Sequence, residues 1–139
     1  MSEREIIIHR IACNRPQEGM LWSNGDELWA RLVAGDAVVV YPAAGLSLIE
    51  GVKAGTLIDC ATFRLRFTGT VSFDLYDCDG PSNSTTPVEQ RANEHLGELR
   101  WGPYDEDVQH DWRDLTPGAA AGKSSYKVLY SLRTPGVGQ

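Results

Sequence analysis

The chain has 139 residues, 13 basic against 19 acidic side chains, a formal net charge of −6 and 42% hydrophobic residues. At this length one domain is the expectation, with roughly two-thirds of the unfolded surface buried, enough for a self-sufficient core. No apolar run approaches the ~20 residues of a membrane span, and an acidic chain without a basic stripe is a poor nucleic-acid binder.

From the N-terminus the pattern is period two, repeated, which is the mark of half-buried strands. Glu5 to Cys13 is rich in Ile, with Ile7 and Ile11 expected on one face and Ile6 and Ile8 on the other. Asp26 to Val33 alternates Leu28, Ala30 and Leu32 against Trp29, Arg31 and Val33, and Ala37 to Tyr41 is β-branched up to Pro42. Thr62 to Phe67 sets Phe63, Leu65 and Phe67 against Arg64 and Arg66; Thr70 to Tyr76 sets Val71, Phe73 and Leu75 against Ser72, Asp74 and Tyr76. Leu96 to Trp101 is a further short strand, and Tyr126 to Arg133 closes the series with Tyr126, Val128, Tyr130 and Leu132. Turn formers separate these runs at Asn24-Gly25, Gly35-Asp36, Thr68-Gly69 and Pro117-Gly118. No stretch sustains a helical period; Val88 to Leu96 is the best candidate for a turn or two. Seven or eight such strands predict an all-β, antiparallel β-sandwich, a single domain over residues 1–133 with a flexible tail at 134–139.

Two loops exceed what a hairpin needs, one from about Asn14 to Gly25 and one from Cys78 to about His95, and long loops in compact domains are functional or disordered. The acidity gathers near the second. Between Asp74 and Asp114 stand eleven acids and three bases, a local charge of −8, while the rest of the chain carries +2. Such asymmetry marks either a surface for cations and basic partners or a solvated face.

At the end of an apolar strand, Asp77-Cys78-Asp79-Gly80 places two carboxylates on one side. Like charges this close repel unless a cation sits between them. Ca2+ suits clustered carboxylates, carbonyls and water, and Asp26-Glu27 and Asn93-Glu94 add oxygens if the loops converge. The spacing is not that of an EF-hand, and the competing reading is an Asx turn after the strand.

Val71-Ser72-Phe73-Asp74-Leu75-Tyr76-Asp77-Cys78-Asp79, a loop, and Asn93-Glu94-His95-Leu96-Gly97 together resemble the third-loop region of the C2 domain. Asn24-Gly25-Asp26-Glu27-Leu28-Trp29 resembles its first-loop region, and Tyr126-Lys127-Val128-Leu129-Tyr130 its final strand. The resemblance spans most of residues 5 to 133. It implies an eight-stranded, C2-like Greek-key sandwich with its long loops gathered at one end. In calcium-binding members those loops hold Ca2+ and engage anionic phospholipid, and Asp26, Asp77 and Asp79 match the ligand positions. A first-loop Asp of the family pattern is missing, where this chain reads Gly19-Met20-Leu21-Trp22-Ser23, and Glu18, Asn93 or Glu94 would have to compensate. Other members have lost calcium and act as docking scaffolds.

Met20, Leu21 and Trp22 form an apolar tip in the first long loop. Exposed, they would enter a membrane interface or anchor a protein partner; folded back, they would close the end of the core.

Catalytic patterns are absent. His9, His95 and His110 have no zinc spacing, with His95 and His110 expected as solvated residues of acidic loops. No Gly-x-Ser-x-Gly elbow occurs, and Asp77 and Asp79 are closer than glycosidase carboxylates. Cys13, Cys60 and Cys78 make neither a zinc site nor a disulfide framework. With Met-Ser-Glu-Arg-Glu unlike a signal peptide, buried thiols in a cytoplasmic protein are expected, leaderless export being invisible to this test. The function expected is therefore non-catalytic: a C2-like module, with Ca2+ as its candidate ligand, docking to a membrane or protein partner. The alternative is a structural, self-assembling subunit, independent of Ca2+, that meets neighbouring copies through its sheet edges.

Overall fold

The computed structural model describes residues 2–17, 25–43, 47–78 and 86–136. Among these, ten strands run β1 (Arg4–Arg15), β2 (Asp26–Ala34), β3 (Ala37–Tyr41), β4 (Ile49–Val52), β5 (Leu57–Phe67), β6 (Val71–Cys78), β7 (Asn93–Trp101), β8 (Val108–Asp114), β9 (Thr116–Pro117) and β10 (Ser125–Arg133). They divide into a sheet ordered β5-β1-β10-β8 and a second ordered β3-β2-β6-β7-β9, with β4 also paired to β2. Every pairing is antiparallel. This is the expected all-β sandwich. Eight strands have five or more residues, and β4 and β9 are short additions of four and two.

The inner faces follow the alternation for most strands. Leu28, Ala30 and Leu32 of β2, Val71, Phe73 and Leu75 of β6, and Tyr126, Val128, Tyr130 and Leu132 of β10 all point into one core. In β1 the parity changes partway. The ladder slips between Ile8 and Arg10, and this bulge at His9 turns Ile11 inward beside Ile6 and Ile8. Ile7 and Ile11, expected on one face, therefore lie on opposite faces, with Ile7 half-buried on the outside.

Trp29 packs on the other side of β2, in a smaller cluster with Cys78 and Val88. A single 3-10 turn, Val88–Gln90, covers it, in the region expected to hold a helical turn. All three cysteines are buried and unpaired.

Neither His95 nor His110 lies in a loop, contrary to expectation. His95 lies in β7, which begins at Asn93, and His110 lies in β8. β8 hangs from β10 as the last strand of its sheet, and six of its seven residues are exposed. Asp111 and Arg113 oppose the core residues Tyr130 and Val128 in register, yet they meet water because the facing sheet ends in the two-residue β9.

At the pole away from the long loops, Glu5 of β1 pairs in register with Arg133 of β10 and with Arg66 of β5. The Glu5 carboxylate receives Arg64 at 2.9 and 3.1 Å and Arg133 at 2.7 Å.

Candidate functional site

β2 begins, β6 ends and β7 begins at the same pole, so strand register gathers the residues that spacing singled out. Leu28 stands opposite Asp77, and Asp77 opposite Glu94 with Cys78 opposite Asn93. Asp26, Asp77, Asn93 and Glu94 thus meet at adjacent strand ends. Asp79, Met20, Leu21 and Trp22 lie outside the described residues.

The entry to β2 depends on Gly25. Its φ is +86°, and a Cβ there would lie 2.6 Å from the Val52 carbonyl oxygen, so a side chain has no room. Asp26 follows, fully buried, and Asp77 is only 2% exposed. Asp26 Oδ2 accepts hydrogen bonds from the Gln17 backbone N–H at 2.7 Å and from the Tyr126 hydroxyl. Burial, and next the hydrogen bond to Asp26, push the Tyr126 pKa upward, which keeps its hydroxyl a donor. Asp77 Oδ1 accepts from the Glu27 N–H at 2.9 Å.

Gln17 extends this network. Its side-chain amide donates to Glu94 Oε2 at 2.6 Å and to the Ala120 carbonyl at 2.7 Å. Trp29 Nε1 donates to Asn93 Oδ1 at 2.9 Å, and Asn93 Nδ2 donates to the Val88 carbonyl at 2.7 Å. Together these bonds tie the end of β1, the start of β2, the end of β6, the start of β7 and the connection before β10. Neither Gln17 nor Tyr126 was visible as a site residue from sequence. Each is joined to Asp26 by folding alone, Tyr126 across 100 positions.

Ca2+ takes six to eight oxygens. Among the described residues no three His, Cys, Asp or Glu side chains come together in a metal-ligating group. Asp26 Oδ2 is already engaged by two donors. Asp26 and Asp77 thus anchor the roots of the loops.

A second polar group lies on the outer face of the β5-β1-β10-β8 sheet. The His9 and His110 rings stack with centroids 4.1 Å apart, and Ser131 Oγ lies 2.7 Å from His9 Nε2 while accepting from the His110 N–H at 3.0 Å. The ladder slips beside both histidines, and His110 has φ +50°. Two bulges on strands flanking β10 thus bring the rings together, and no sequence spacing signals this.

No protein-family model matches the chain, and no curated protein matches it. A solved structure does: a C2 domain of plant Extended Synaptotagmin 1, with a TM-score of 0.53, 11% identity, and coverage of 94% of this chain and 92% of that one. The chain has the C2-like β-sandwich fold. At that identity the likeness is one of architecture.

Proposed function

We propose that the protein is a non-catalytic, C2-like binding module that docks a protein partner through its loop end without needing Ca2+. The observation that carries this reading is the internal use of the two buried aspartates. Asp26 binds Gln17 and Tyr126, and Asp77 binds the Glu27 N–H, so both stabilise the platform from which the loops leave. A rigid scaffold carrying its recognition residues on loops is a common arrangement for binding.

A second reading makes docking Ca2+-dependent, with Asp77 and Asp79 as principal ligands helped by Asp26, Asn93 and Glu94, and with Met20, Leu21 and Trp22 entering a membrane. Its support is the convergence of Asp26, Asp77, Asn93 and Glu94 on adjacent strand ends.

Thermal melting in Ca2+ and in chelator separates the two. Ca2+ at 100 times its dissociation constant adds about 2.7 kcal/mol. The first reading expects an unmoved midpoint and no sedimentation with anionic vesicles, with partner capture unchanged by chelator and lost in Gln17→Ala/Glu94→Ala. A Ca2+-raised midpoint, abolished in Asp77→Asn/Asp79→Asn, moves the protein to the second reading.

A further inference from the structure

The sheet ordered β5-β1-β10-β8 ends in two different open edges. At one end, β8 is followed outward by no strand among the described residues, and it is exposed on both faces. An edge of this kind presents a row of unpaired backbone N–H and C=O groups to another chain. The bulge beside Ser131 is confined to its beginning, and from Asp111 to Asp114 its register with β10 is regular. At the other end stands β5. Tyr41 of β3 covers its first half, with its hydroxyl on the Asp59 carbonyl at 3.0 Å and its ring stacked on Phe63. From Arg64 to Phe67 the edge has no partner strand among the described residues.

The two edges differ in charge. β8 and the turn before it carry Asp105, Glu106, Asp107, Asp111 and Asp114 against Arg113. The open half of β5 carries Arg64 and Arg66. We propose that a second copy of this chain joins its β5 edge to the β8 edge of the first, continuing the sheet from molecule to molecule. This goes beyond loop-end docking and uses a different surface.

Register places the open half of β5 level with the start of β8 and the turn before it. Asp107 bonds Arg4, and Arg4 is opposite Phe67. Val108, Leu132, Ile6 and Leu65 share one level, and Asp111, Tyr130, Ile8 and Phe63 another. A copy displaced sideways therefore brings Arg66 beside the acidic Asp105–Asp107 turn, with Arg64 two residues further along the edge.

Strand direction also fits. Each neighbour in this sheet is antiparallel, so a translated β5 meets β8 antiparallel. The two-residue β9 leaves the inner side of β8 uncovered, and there the neighbour's β3 would fit, with its exposed, uncharged Val38. Pairing β8 with β8, or β5 with β5, would instead oppose like charges, which is destabilising across strands. A β8-to-β5 contact is heterologous, so it grows into a filament or closes as a ring.

The test is sedimentation velocity of the full chain over a wide concentration range, at low and high salt. Arg66 is half exposed and pairs with Glu3 at 3.4 Å and Glu5 at 3.7 Å. Arg66→Glu weakens that end of the sheet, but Glu5 keeps Arg64 and Arg133. Both this variant and Asp105→Lys/Glu106→Lys should therefore fold, as circular dichroism and melting would verify before sedimentation. The expected result is growth beyond dimer at low salt, suppressed at high salt and weakened roughly tenfold or more in each variant. An equimolar mixture of the two variants regains it, because each edge then meets its opposite charge. A monomer at every concentration, association indifferent to both variants, or a closed twofold dimer overturns the proposal. So does a monomer whose β8 pairs only with an added basic extended peptide.

Discussion

The Tyr126 hydroxyl donates to Asp26 Oδ2 inside the sandwich, linking the first residue of β2 to the second of β10. Tyr126 is 3% exposed and Asp26 is 0%, so water cannot replace the bond if it is removed. The same oxygen holds the Gln17 N–H. The pair therefore joins both sheets at the pole where the loops begin.

Tyr126→Phe should cost about 1.5–3 kcal/mol, the range for a hydrogen bond to a charged group. Urea unfolding would show a lower midpoint with an unchanged slope, since the exposed surface stays the same. A change within about 0.5 kcal/mol, the scale of ordinary surface substitutions, would mean that the bond is not important to stability.

Asn93→Ala removes the acceptor of Trp29 Nε1 and the donor to the Val88 carbonyl. An unsatisfied buried donor costs about 1–3 kcal/mol. A double-mutant cycle with Trp29→Phe isolates the indole bond and should show coupling between the two sites. Losses that simply add, measured by chemical unfolding, would show that the indole bond contributes nothing.

Most of the fold was legible where one strand face is dry and the other wet. Leu28, Ala30 and Leu32, and Val71, Phe73 and Leu75, alternate because burial alternates. β8 was illegible for the same physical reason: its residues are exposed on both faces, so Val-Gln-His-Asp-Trp-Arg-Asp carries no alternation. Alternation puts Ile11 on the wrong face because the bulge at His9 arises from pairing with β5 and β10. At the loop end, the meeting of Asp26, Asp77, Asn93 and Glu94 was readable, whereas the donors Gln17 and Tyr126 belong to no local motif.

Acid should weaken the fold in two steps. Burial first, then His110 and Arg64, hold the His9 pKa below its usual value. Stability from keeping His9 neutral is therefore complete above the unfolded value of about 6.5 and declines as the pH falls below it. Glu5 is different: hydrogen bonding from Arg64 is the largest influence on its carboxyl, which lies below the usual 4.5. Its contribution is present above that value and is lost as the pH falls through the folded pKa. His9→Asn should remove the first step and Glu5→Gln the second in pH-dependent urea midpoints. A profile unchanged by His9→Asn would assign the upper step elsewhere.

Cys60 should resist modification in the folded protein. Burial, followed by the Asp59 charge, pushes its thiol up to about 12, and the thiolate is the reactive form. Cys13 and Cys78 are also raised, chiefly by burial. Iodoacetamide near pH 8 should label all three only after denaturant is added, as peptide mass spectrometry would record. Rapid labelling of native Cys60 would contradict its burial.

The pairing of Glu5 with Arg133 has a practical consequence for attachment. Chain extending before β1 and chain extending after β10 leave the sandwich from the same pole, opposite Asp26 and Asp77. A tag, a fluorescent protein or a surface tether at either terminus thus holds the molecule by its back and turns the loop end outward.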